Sequence, residues 1–179
     1  CDAGPSILPG QYERLKLAKE NVKNITEIMA EVVKYNTDAI LIMITNPLDV
    51  TTYLAATKFG WKHGRLFGTG TTLETLRFKY ILSRHFGVNP QDIHGYMLGE
   101  HGNSAFPAWS TVSIGGIRLN DLHNYFPEVK LDRELIHKQV VKTAYEVMDA
   151  KGWTNTGIAS GAIRLAQAVF FDEKAVVPV

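Results

Sequence analysis

The sequence predicts an α/β chain in which part of a doubly wound parallel sheet is followed by an α+β unit. Three observations predict it. Helix-period and strand-type runs alternate with short loops as far as Gly68, the pattern of a sheet covered by helices. The run from 39 to 44, with Ile40, Leu41, Ile42, Met43 and Ile44, has no polar interruption, as expected of a parallel strand buried on both faces. Beyond Gly87 the texture changes to short strands, a Gly115-Gly116 turn signal and two late helices.

The elements follow in order. Residues 1–10 are punctuated by Gly and Pro and read as a loop. Leu15, Ala18, Val22, Ile25, Met29 and Val32 then recur at spacings of three or four, one apolar stripe on a long helix. After the strand at 39–44, Asn46-Pro47 opens a helix with Pro47 in its first turn. That helix runs to about Lys58, with Gly60 beyond its end. A short strand at 65–67 leads through Gly68-Thr69-Gly70 into a helix from 72 to 86, stopped by Gly87. Strands are expected at 93–98 and 108–114, and Gly115-Gly116 predicts a two-residue hairpin to Ile117. Helices at about 132–150, ended by Gly152, and 157–171 complete the chain. Ala175 to Val179 reads as a strand beginning, and Cys1 is not an initiator methionine, so both ends are expected to be cuts through structure. The texture change near Gly68 divides the chain into 1–68 and 69–179.

Composition narrows the function classes. Apolar residues are 45% of 179, enough for a substantial core. Nineteen basic against 18 acidic side chains leave a net charge of +1. That balance argues against a nucleic-acid partner, which calls for a clustered basic excess. No apolar run approaches the roughly 20 residues of a membrane span. A single cysteine, Cys1, forms no internal disulfide and fits a reducing, cytoplasmic setting.

Chemistry concentrates in Gly99-Glu100-His101-Gly102-Asn103-Ser104. Small neighbours leave the His101 imidazole approachable, and histidine both gives and takes a proton near neutrality. The plain alternative is a histidine on a surface loop. His94 and His101 lack the short paired spacings of a zinc site, so no metal is expected. Glu74 and Arg77 share a helix face. They fit a surface ion pair, or Thr71 and Glu74 a capping box. They also fit a carboxylate that orients a histidine and a guanidinium that grips an anion. Asn46 fits a helix cap, yet it stands at the carboxyl end of a parallel strand, where open α/β sheets bind ligands. Arg14, near a helix start, is a solvated cation or a ligand-facing one.

Together these segments resemble the lactate and malate dehydrogenase superfamily, most closely its bacterial L-lactate and L-2-hydroxyisocaproate members. AGPSILPGQYER, IMITNPLDV, FGTGTTLETLRF, GYMLGEHGNSAFPAWS and KGWTNTGIASGAIRLAQAV carry the resemblance, in order, through nearly the whole chain. It implies the C-terminal half of a Rossmann-like doubly wound sheet followed by an α+β catalytic domain. It also implies NAD as cofactor, a small 2-oxo or 2-hydroxy acid as substrate, and a homodimer or homotetramer.

By the same resemblance His101 is the proton donor and acceptor, and Glu74 the carboxylate that holds it. Arg77 binds the substrate carboxylate. Arg14 is the loop arginine that polarises the carbonyl. Asn46 lies near carbonyl and nicotinamide, and Thr69 at the nicotinamide amide. Ala3 and Gly4 belong to the cofactor loop. Thr154 lines the substrate pocket, as does Ile7 (or, in a loop one residue longer than the family's, Ser6 or Leu8), where malate members place an arginine and lactate members often a glutamine. An apolar residue there implies pyruvate or branched 2-oxo acids over oxaloacetate, at about 1–3 kcal/mol per methylene. The chain departs from the family pattern in three places. The Gly-rich βαβ fingerprint is absent, Glu74 replaces an aspartate, and Asn103 stands where many members have an acid. A non-catalytic truncated chain of this family, and a malate dehydrogenase, are the alternatives.

Overall fold

The computed structural model describes residues 17–179. Ala3, Gly4, Ile7 and Arg14 lie outside the described residues. Helix α1 (Ala18–Val32) buries Asn21, Ile25 and Met29. Ile25 and Met29 belong to the expected stripe, but at its start the polar Asn21 is buried and Val22 only half-buried. Strand β1 (Leu41–Met43) pairs in parallel with β2 (Leu66–Gly68). Helix α2 (Leu48–Lys58) connects them and buries Leu48, Thr51 and Ala55. Ile25, Met29, Met43, Leu48, Ala55 and Trp61 form the first core.

Burial of both faces of the 39–44 run is not what the structure has. Only Met43 of β1 is buried, while Ile40 and Ile44 are 41% and 43% exposed. Among the described residues β1 has β2 as its sole strand partner. The start of α2 also differs from expectation. Pro47 occupies the N-cap, and no side chain caps the helix. Instead the Thr51 hydroxyl donates to the Thr45 carbonyl at 2.7 Å, tying the helix to the end of the strand.

Helix α3 (Thr72–Phe86) ends at Gly87 as expected. The run at 93–98 splits into β3 (Ile93–His94) and β4 (Met97–Leu98) because its halves join different partners. β3 pairs with β6 (Ser113–Ile114), and β4 with β5 (Phe106–Pro107). A 3-10 turn, Trp109–Thr111, takes the place of the expected strand at 108–112. There Trp109 meets Phe78 edge-to-face, with centroids 5.2 Å apart. The hairpin forms as expected. Ile114 faces Ile117 of β7 (Ile117–Arg118), and Gly115 and Gly116 take φ of +55° and +85°, which a primed turn demands.

Helices α4 (Arg133–Lys151) and α5 (Thr156–Phe170) close the chain. The Asp132 carboxylate caps α4 by accepting from Leu135 N–H at 2.9 Å. A second core, around Phe78, Leu82, Ile93, Met97, Ile136 and Val140, joins α3, α4 and the short strands. The last residues form no strand. The Pro178 carbonyl accepts from the Thr72 hydroxyl at 2.9 Å rather than from a neighbouring strand. No described helix is long and apolar enough to cross a membrane.

Candidate active site

Two threonines one helical turn apart begin the site. Thr71 Oγ1 donates to the Met97 carbonyl at 2.6 Å, and Thr75 Oγ1 accepts from Met97 N–H at 2.9 Å. Both polar groups of one β4 residue are thus taken by the first turns of α3. All three residues are buried, so these bonds are not exchanged with water. Glu74 lies between the two threonines, and His101 lies four residues beyond Met97. The clamp therefore brings the glutamate and the histidine together.

Glu74 Oε1 is 2.9 Å from His101 Nδ1, and each side chain is only 7% exposed. Glu74 Oε2 is buried with no hydrogen-bond partner among the described residues. Burial pushes the Glu74 carboxyl up, but the nearness of His101, a backbone N–H and the Arg77 charge outweigh it. The net result holds Glu74 below the usual carboxylate range. Neither the capping box nor the surface ion pair therefore describes this residue: Thr71 makes no cap bond, and Glu74 is turned inward. Arg77, half-buried, stands one turn further along α3.

The loop bearing His101 is held from two other helices. The His101 backbone N–H donates to Asp49 Oδ2, on the first turn of α2, at 2.9 Å. The Tyr145 hydroxyl of α4 donates to Asn103 Oδ1, and His137 Nε2 lies 2.8 Å from the Ala105 carbonyl. Asp49, His137 and Tyr145 were not among the residues expected from sequence. Asp49 had one signal, its place in the NPLD segment, but nothing local links it to His101.

Asn46 and Thr69 stand just past the carboxyl ends of β1 and β2. Asn21 Nδ2 donates to the Asn46 backbone carbonyl at 2.6 Å, and Thr69 N–H donates to the Met43 carbonyl at 3.0 Å. Among the described residues Asn46 Oδ1 and Thr69 Oγ1, both buried, have no hydrogen-bond partner. An amide group, with one carbonyl and two N–H donors, suits such a pair. Thr154 is exposed on the loop between α4 and α5 and joins none of these bonds. A groove of about 690 Å³ between α3 and α4, lined by Tyr80, Arg84, Leu135 and Lys138 among others, includes neither His101 nor Glu74.

Comparisons with known proteins identify the family. Residues 2–68 match the lactate/malate dehydrogenase NAD binding domain, and 71–179 the lactate/malate dehydrogenase alpha/beta C-terminal domain. The L-lactate dehydrogenase of Selenomonas ruminantium is 48% identical over 178 residues, covering 98% of this chain and 56% of the relative. L-lactate dehydrogenase 2 of Clostridium acetobutylicum is 41% identical, covering 99% and 56%. A lactate dehydrogenase from a Medee basin deep-sea metagenome library superposes with a TM-score of 0.90 at 32% identity, covering 98% of this chain and 56% of that one. The malate dehydrogenase of Cryptosporidium parvum superposes at 0.89, also with 32% identity and the same coverage. The chain spans about half the length of the curated relatives it matches.

Proposed function

Because the chain belongs to the lactate/malate dehydrogenase family, we propose that it is the nicotinamide-side and catalytic portion of an NAD-dependent L-2-hydroxyacid dehydrogenase. The observation that carries this reading is the buried Glu74–His101 pair, with Arg77 one turn away on the same helix. In this reading 1–68 is part of the dinucleotide-binding domain and 69–179 belongs to the catalytic domain. Two separate apolar cores, one before Gly68 and one after it, support that division.

Reduction of a 2-oxo acid requires a hydride at carbon and a proton at oxygen. NAD(H), when bound, supplies or accepts the hydride. The orphaned Asn46 and Thr69 oxygens would hold its carboxamide, with Ala3 and Gly4 on the cofactor loop. His101 delivers the proton to the carbonyl oxygen and recovers it in the reverse direction. Glu74 favours the charged imidazolium and restrains the ring. Arg77 orients the substrate through a two-donor grip on its carboxylate. Arg14 stabilises charge growing on the carbonyl oxygen. Ile7 and Thr154 line the pocket.

The substrate class is a small monocarboxylic acid, pyruvate or a branched 2-oxo acid. The uncharged Ser6-Ile7-Leu8 stretch supports it over a dicarboxylate, since none of the three carries a positive charge to pair with a second carboxylate. A cytoplasmic homo-oligomer completes the reading. The test is NADH oxidation by the full-length protein with pyruvate, 4-methyl-2-oxopentanoate and oxaloacetate. Turnover of the first two with little of the third is expected. Strong oxaloacetate reduction overturns the substrate class, and no turnover of any of them overturns the reading.

A further inference from the structure

We propose that Asp49 is a positioning residue for His101: from the first turn of α2 its carboxylate holds the His101 backbone N–H and thereby fixes where the imidazole sits. The inference rests on the reading of His101 as proton donor. Its basis is geometric. Asp49 Oδ2 lies 2.9 Å from His101 N, although the two residues are 52 apart in sequence. The Asn103–Tyr145 and Ala105–His137 contacts hold the loop beyond His101, and Asp49 holds it at His101 itself. Gly99, two residues before His101, has φ of +94°, a region that other residues rarely enter. Glycine adopts this conformation at an entropic cost, and a bond to a neighbouring helix offsets it by restricting the alternatives.

His101 is in fact tied at two points to two different cores. Its side chain meets Glu74 on α3, the helix whose Phe78 and Leu82 build the second core. Its backbone meets Asp49 on α2, the helix whose Leu48 and Ala55 build the first core. A histidine held only through its ring keeps contact with Glu74 while its backbone drifts. The second tie removes that freedom, and a proton donor has value only within a narrow range of positions.

A simpler role for Asp49 is electrostatic: a carboxylate in the first turn favours a helix N-terminus. Asn and Ala separate the two roles. Asp49→Asn removes the charge but keeps an acceptor oxygen of similar reach, whereas Asp49→Ala removes both. In the full-length protein, Asp49→Ala is expected to lower kcat for 2-oxo acid reduction about tenfold or more. The substrate KM should stay within about twofold, as for a loss confined to the chemical step. Asp49→Asn should restore most of the rate. Hydrogen exchange at the His101 amide supplies a readout independent of activity. It is slow in the wild type, faster in Asp49→Ala and slow again in Asp49→Asn. Unchanged kcat and unchanged protection in Asp49→Ala overturn the proposal. So does an Asp49→Asn variant as impaired as Asp49→Ala, because charge and not the acceptor then matters. A wild-type protein without dehydrogenase activity overturns the proposed function instead, and the amide measurement still decides whether Asp49 holds the loop.

Discussion

Glu74 Oε1 and His101 Nδ1 lie 2.9 Å apart, both shielded from solvent, across 27 residues of chain. Burial makes the pair sensitive to charge, because water is not there to screen it. Glu74→Gln keeps the shape and removes the charge that favours the imidazolium. Its kcat/KM for 2-oxo acid reduction is expected to fall on the order of 10²-fold, the low end of what a positioned acid–base group contributes. Glu74→Asp keeps the charge but withdraws the carboxylate by one methylene, so it should lie between wild type and Glu74→Gln. Steady-state kinetics of the three proteins checks the order. Equal rates in all three would remove Glu74 from the proton-transfer machinery.

The same residue sets a pH dependence of stability. The folded state holds the Glu74 carboxyl below its ordinary value, so folding is favoured by its ionised form. That contribution is complete above the unfolded titration range, about pH 4.3 for glutamate. It is lost as pH falls through the lower folded-state value. Urea midpoints measured from pH 6 down to 3 should therefore drop more steeply for wild type than for Glu74→Gln. Parallel curves would mean that Glu74 takes no part in the acid response.

Some of this was legible in the chain because it is local. Gly87 and Gly152 mark the ends of α3 and α4 where the structure has them, and the Gly115-Gly116 pair marks its hairpin. The strands were less legible. Those after Gly68 are only two residues long, and partners distant in sequence decide which residues pair. Glu74 shows the limit clearly. Thr-x-x-Glu before an apolar run is the same four letters whether the threonine caps the helix or reaches another strand. Here the Thr71 hydroxyl goes to Met97, 26 residues away, and Glu74 is released for His101. Asp49 and Tyr145 reach the histidine loop over 52 and 42 residues, separations that no local pattern encodes. Asn21 carries no apolar signal, and its burial follows from its bond to the Asn46 carbonyl, 25 residues away.

Arg77 supplies a third prediction. Arginine offers a planar fork that meets both oxygens of a carboxylate, whereas lysine is a point charge. Arg77→Lys preserves the positive charge beside Glu74 and leaves a half-buried position occupied by a long side chain, so the thermal midpoint should move little. The KM for the 2-oxo acid should rise about tenfold or more, a loss of the size expected for a charge-assisted hydrogen bond. Kinetics with pyruvate, paired with thermal denaturation, checks both halves. An unchanged KM would place the substrate carboxylate elsewhere.

The threonine clamp on Met97 supplies the last. Thr75 Oγ1 accepts the Met97 N–H in a buried setting, and Thr75→Val removes the acceptor while nearly preserving shape. A buried N–H left unpaired costs about 1–3 kcal/mol, which should appear as a lower urea midpoint. The consequence for activity follows from geometry. Met97 begins the path to His101, and Glu74 is adjacent to Thr75 on α3, so loosening this bond widens the contact between carboxylate and imidazole. Thr75→Val should therefore lose kcat as well as stability. Thr75→Ser, which keeps the hydroxyl and drops only a methyl group, should recover the rate even though it gives up some packing. If serine and valine lose kcat equally, the clamp contributes packing alone, and the placement of Glu74 against His101 depends on other contacts of α3.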